Sequence, residues 1–122
     1  MIKQKSFKPY PIELLPDGFI YHARYLQLAN CTNTVQSDEY FQWWFLDSTT
    51  EGAKLSYNLR NNKIKDFNLV PFAQNSEWMA YFDGDDCSGD PRVIVIDITD
   101  LPFHMIFENF NEWLAKAEQD CW

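Results

Sequence analysis

Residues 69–98 read LVPFAQNSEWMAYFDGDDCSGDPRVIVIDI. Two runs rich in aromatic and β-branched side chains, residues 78–82 and 93–98, flank a polar segment at 83–90. That segment holds four carboxylates, Asp83, Asp85, Asp86 and Asp90, and two glycines. Apolar runs bounded by Gly, Asp, Ser and Pro predict strands joined by a loop. Residues 93–96 carry no polar interruption, which predicts a central strand covered on both faces. An acidic loop is therefore expected at the end of the core strands.

Outward from this hairpin, the chain divides into elements of both kinds. Residues 1–11 form a mildly basic leader that Pro9 and Pro11 keep extended. Phe19, His22, Ala23, Leu26 and Ala29 recur at spacings of three and four, which predicts a helix over 19–29. Asp17 is placed to cap its start. His22 then sits on the apolar face, where a hydrogen-bonded, partly buried imidazole is expected. Residues 30–39 are polar and read as a loop. Residues 40–46, YFQWWFL, read as a strand by aromatic content. Residues 47–52 read as a turn. Leu55, Tyr57 and Leu59 alternate, so 53–60 reads as a half-buried strand. Asn61 and Asn62 suit a tight turn, and 63–66 a polar connection. Pro71 places the run 67–72 at an edge or a bend. After a break at 99–102, Phe103, Phe107, Phe110, Leu114 and Ala117 share a helical face, predicting an amphipathic helix over 103–118.

The chain has 122 residues, enough to bury one hydrophobic core, and 46% of them are hydrophobic. One domain over 1–122 is the expectation. No apolar run reaches the ~18 residues of a bilayer span. The basic N-terminus has no apolar segment behind it, which argues against a secretory leader and for a cytoplasmic location. Cys31, Cys87 and Cys121 are isolated and odd in number, and no CxxC occurs. They read as free thiols in a reducing compartment.

Net charge is −8, unevenly distributed. Residues 1–65 hold eight basic and six acidic residues, whereas 66–122 hold two basic and twelve acidic ones. Nucleic acid is a poor partner for that surface, because binding it requires neutralising phosphates. A basic protein is a good one, since a negative field raises its on-rate. The same acidity also serves plain solubility.

No catalytic constellation is legible in the sequence. GxSxG, HExxH, a Walker loop and GxGxxG are absent. Counted as a calcium loop from Asp83, the sixth position is Ser88 where glycine is needed, and the twelfth is Ile94 where a bidentate Glu is needed. The expectation is a non-enzymatic protein without cofactor, catalytic residues or metal site.

Four pieces of the chain resemble the SUKH superfamily of cell-wall-synthesis regulators and bacterial immunity proteins. Leu15-Pro16-Asp17-Gly18-Phe19, leading into Tyr25-Leu26, looks like the family's first helix. Trp43-Trp44-Phe45-Leu46-Asp47 looks like its first strand. Val70-Pro71-Phe72-Ala73, followed by Tyr81-Phe82-Asp83, looks like its central hairpin entry. Pro91 through Asp97, then FENFNEWL at 107–114, looks like its last strand and closing helix. The resemblance implies an α+β domain, with a twisted, mostly antiparallel sheet and helices packed around it. It further implies an immunity-type role, binding and neutralising a partner toxin that is often a nuclease. A regulatory scaffold, or a ligand- or peptide-binding module, without a toxin partner is the alternative. For the first role, Asp83, Asp85, Asp86 and Asp90 would steer a basic partner. Trp78 and Trp43 would serve as aromatic anchors or, equally, as core.

Overall fold

The computed structural model of the chain describes residues 7–30, 43–59, 68–101 and 104–119. Among these residues the fold is α+β: five strands in one antiparallel sheet, with three α-helices. The strands are β1 (Trp44–Phe45), β2 (Leu69–Asn75), β3 (Trp78–Asp83), β4 (Val93–Asp97) and β5 (His104–Phe107), in spatial order β1-β2-β3-β4-β5. The helices are α1 (Ala23–Ala29), α2 (Glu51–Asn58) and α3 (Phe110–Gln119). Helix α1 packs on α3, α2 on β2, and α3 on β5. Buried side chains from Phe7 to Ala117 form one cluster.

The β3–β4 hairpin forms as its sequence predicts. Pairing runs from Trp78 opposite Asp97 to Phe82 opposite Val93. Val93 to Ile96 are fully buried, so β4 is covered on both faces, between β3 and β5. Alternation directs Phe82, with its register neighbours Val70, Val93 and Phe107, to one face of the sheet. Aromatic rings assemble around Phe82. Phe72 stacks on it at 4.2 Å, Tyr25 of α1 meets its ring edge-on at 5.1 Å, and Trp113 of α3 meets Phe72 edge-on at 4.9 Å. Each buried aromatic of this kind contributes roughly 1.5–3 kcal/mol by leaving water.

Strand β2 lies inside the sheet, not at its edge. Pro71 is tolerated because the two-residue β1 reaches only Ala73 and Gln74. A register shift between Pro71 and Ala73 bends the strand there, as the proline predicts.

Three segments differ from the sequence-based expectation. The first helix starts at Ala23, not Phe19, and Asp17 does not cap it. Gly18 has φ +81°, which turns the chain before the helix, and His22 is the cap residue, its Nδ1 accepting the Arg24 N–H. Its buried residues are Tyr25, Leu28 and Ala29, and Leu26 is exposed. Second, the strand expected over 53–60 is helix α2. Thr50 Oγ1 accepts the Ala53 N–H, and Ala53 and Tyr57, four apart, are the buried pair. Leu55 and Leu59, which set the alternation, are exposed. Third, the helix expected over 103–118 is split into strand and helix. β5 occupies His104–Phe107, and Asn109 then caps α3 by accepting the Glu112 N–H at 2.9 Å. The buried face of α3 is Phe110, Trp113, Leu114 and Ala117, at helical spacing. Consequently β4 is not the last strand of the sheet. The loop expected at 30–39 and the segment 60–67 lie almost wholly outside the described residues, as do residues 40–42 of the strand expected over 40–46, within which Trp44–Phe45 form β1.

Candidate functional site

The acidic β3–β4 loop is an ordered turn built by its own carboxylates. Asp83 closes β3, and its N–H donates to the Arg92 carbonyl at 2.9 Å. Gly84 then donates to the Asn68 carbonyl at 2.7 Å. A Cβ at Gly84 would lie 2.5 Å from that same oxygen and 2.8 Å from Pro16 Cγ, so the approach requires glycine. Asp86 Oδ1 accepts from the Ser88 N–H at 3.2 Å and hydroxyl at 2.7 Å, while its Oδ2 accepts the Arg92 N–H at 3.2 Å. Burial by itself would raise the Asp86 carboxyl. The hydrogen bonds from Ser88 and Arg92, with the Arg92 charge, outweigh it and hold the carboxyl below its usual value.

An ion pair and a histidine–aspartate contact fasten this loop to the fold. Asp83 is 2% exposed, and its Oδ2 accepts from the Arg92 guanidinium at 2.5 Å. Its Oδ1 accepts the Asp85 N–H at 3.1 Å. Asp90 Oδ1 lies 3.2 Å from His22 Nε2, tying the loop to the start of α1. His22 Nδ1 accepts the Arg24 N–H, which leaves Nε2 as the nitrogen that faces Asp90. The imidazole rests against Phe110 at 5.5 Å. His22 is thus the partly buried, hydrogen-bonded residue its pattern predicts.

Of the six residues singled out as partner-binding, the structure leaves two exposed, Asp90 among them although its carboxylate also meets His22. Asp85 and Asp90 are exposed, and Asp86 is largely engaged within the loop. Asp83 is buried against Arg92 and offers no surface. Trp43 is 3% exposed and packs edge-on against Trp113 at 5.2 Å, so it is core and not an anchor. Trp78 is half-buried at the opposite end of β3 from the loop. The structure therefore does not bring the tryptophans and the acidic loop into one surface.

It does add two acids to the loop. The register of Val93 opposite Phe107 places exposed Glu108 at the same end of the sheet as Arg92. The Asp17 carbonyl lies 3.9 Å from Cys87 Sγ, which brings exposed Asp17 to that end too. Neither was legible from local pattern, because both arrive through tertiary pairing. Cys87 is a free, exposed thiol. Among the described residues no group of three or more His, Cys, Asp or Glu side chains is arranged to hold a metal.

A second feature lies elsewhere. A cavity of about 610 Å³ opens between the N-terminal segment and α2, walled by Tyr10, Pro11, Leu14 and Tyr57, with Ser48, Thr49, Lys54 and Asn58 at its polar side. Tyr57 donates its hydroxyl proton to the Leu14 carbonyl, and Tyr10 donates to the Ala53 carbonyl at 2.5 Å. These bonds hold the aromatic wall against α2. No helix among the described residues is long and apolar enough to cross a membrane. Comparison with family models, with curated proteins and with solved structures finds no match to this chain.

Proposed function

We propose that this is a non-enzymatic, cytoplasmic protein of the immunity type, which binds and neutralises a basic toxin domain, nuclease-like in character. The observation that carries the reading is the acidic end of the sheet. Asp17, Asp85, Asp90 and Glu108 are exposed there, while the nearby Arg92 cation is consumed by Asp83. A field of one sign, set on a hydrogen-bonded loop, attracts a cationic partner and raises its on-rate. The inward use of Asp83 and Asp86 supports a structural role for those carboxylates, not acid–base chemistry. The likeness of several motifs to SUKH proteins supports the same role.

The experiment is a pull-down from native cells, followed by co-expression with any adjacent toxin gene. Recovery of one basic protein, in a complex that weakens as salt rises, is expected. Charge reversal then locates the contact. Asp86→Lys would break the loop itself, so the informative variant is Asp85→Lys with Glu108→Lys. It is expected to slow association about tenfold at low salt. An unchanged on-rate would remove this end of the sheet as the steering element.

The cavity supports a second reading, a ligand- or peptide-binding module with no toxin partner. Its tyrosine wall and the Lys54 ammonium suit a small ligand with an apolar body. Recovery of no basic protein, with a small molecule protecting α2 from exchange, would favour it.

A further inference from the structure

The cavity between the N-terminal segment and α2 has a charge character opposite to that of the chain. Acidic residues outnumber basic ones by 18 to 10, yet among the described residues no carboxylate lines it, and its one ionic side chain is Lys54. The Lys54 ammonium meets Glu51 of the same helix at 3.7 Å, with both side chains exposed. Water screens such a pair and leaves the ammonium open to a better acceptor. Asp47, next to Ser48 in the chain, is held within its own turn, its Oδ1 accepting the Thr49 N–H at 2.9 Å and hydroxyl at 2.6 Å. The apolar wall is fixed in advance. The Tyr10 and Tyr57 rings lie 4.6 Å apart, tilted by 57°, and form a corner. Their hydroxyls donate to the Ala53 and Leu14 carbonyls, so what these side chains add to the wall is chiefly ring surface. Leu14 beside them is 52% exposed, an apolar side chain that the core does not use.

We propose that this cavity binds a small aromatic carboxylate, its ring in the corner of Tyr10 and Tyr57 and its carboxylate on Lys54. Size sets the scale, since about 610 Å³ suits a small organic molecule. Ring geometry selects the body, because a flat ring meets a tilted aromatic pair in the edge-on and offset contacts that add to plain burial. Charge selects the head group. A carboxylate accepts from the ammonium, with the Ser48 hydroxyl and the Asn58 amide as further donors on the polar side. An organic cation would meet Lys54 with no carboxylate in the lining to compensate it. A doubly charged phosphate would call for more cation than one lysine supplies. The inference deepens the ligand-binding reading and rests on it, since it names the class of ligand, and it uses no residue of the acidic loop.

The test uses the full chain, isotopically labelled, titrated with cinnamate and with its neutral analogue cinnamamide. Chemical shifts are followed by NMR at low and high salt. Saturable shifts of the Ser48, Lys54 and Asn58 amides are expected with both probes. Cinnamate is expected to bind about tenfold more tightly at low salt, a preference that shrinks as salt rises. Lys54→Met keeps an apolar stem and removes the charge at an exposed position. It is expected to cancel the tenfold preference while leaving the cinnamamide affinity and the near-ultraviolet circular dichroism unchanged. Equal affinity for the two probes in the parent chain would overturn the proposal and leave the ligand-binding reading standing. So would a preference for cinnamate that survives Lys54→Met. No saturable shift in α2 with either probe would overturn both, so the two failures are distinguishable.

Discussion

Asp83 is the residue on which the acidic loop depends. Its carboxylate is buried, and Arg92 and the Asp85 N–H supply the partners that burial demands. Arg92 is itself half in water, with its side chain 54% exposed, which limits the cost of bringing the pair together. Removal of one partner is a different matter, because it strands a buried charge. Arg92→Ala is expected to lower stability by about 2–3 kcal/mol in urea denaturation. Asp83→Asn in the same background is expected to recover part of that loss, since the amide oxygen still accepts from Asp85. A change within about 0.5 kcal/mol of the parent would mean that Arg92 does not compensate this carboxylate. The four aspartates are thus unequal: Asp83 and Asp86 build the loop, Asp90 latches it to His22, and Asp85 faces water.

Secondary structure was legible where one signal stood alone. The β-branched run at 93–96 fits no exposed element, and β4 formed there, buried on both faces. The segment 51–58 carried two signals. Leu55, Tyr57 and Leu59 alternate like a strand, while Thr50, Ala53 and Tyr57 fit a capped helix. The capping bond and the buried pair four apart decided for the helix. Thr50→Ala is accordingly expected to cost about 1 kcal/mol, seen as a lower urea midpoint at unchanged slope. A neutral outcome would assign the stability of α2 to packing against β2 alone. The short apolar run before Phe110 was ambiguous for a related reason. Four residues are one turn of helix or one short strand, and pairing with β4 selected the strand.

At the scale of the whole molecule, ionisable groups define a window of stability. Asp47 is held below its usual value chiefly by the Thr49 hydroxyl and N–H. Asp86 is lowered as well, because its hydrogen bonds outweigh its burial. The ionised forms are therefore favoured by folding, and this contribution is present above the unfolded value near 3.8. It is lost as pH falls through the lower folded values. Tyrosines act at the other end. Burial pushes Tyr81 up to about 12, and burial with neighbouring phenols pushes Tyr21 higher still. Folding favours their neutral forms, so that contribution is complete below the unfolded value of 10.0 and lost as pH rises through the folded values. Denaturation monitored by tryptophan fluorescence is expected to give a plateau with losses below about pH 4 and above about pH 10. Stability undiminished at pH 12 would contradict the burial of these phenols.

The sequence by itself determined the β3–β4 hairpin, the acidic loop between its strands and the lopsided charge, all from local pattern: alternation, turn chemistry and the count of ionisable side chains. The α+β class was what the resemblance implied, and the five-stranded sheet with its three helices bears it out. Only the tertiary structure decided which carboxylates meet water. The pairing of Asp83 with Arg92 needs the hairpin to close, and that of Asp90 with His22 needs α1 to pack beside the loop. Tertiary contact likewise brought Asp17 and Glu108 to the acidic end and sent Trp43 into the core against Trp113. The physical reason is that the state of a charge or a ring depends on its solvation, and solvation is set by neighbours remote in the chain.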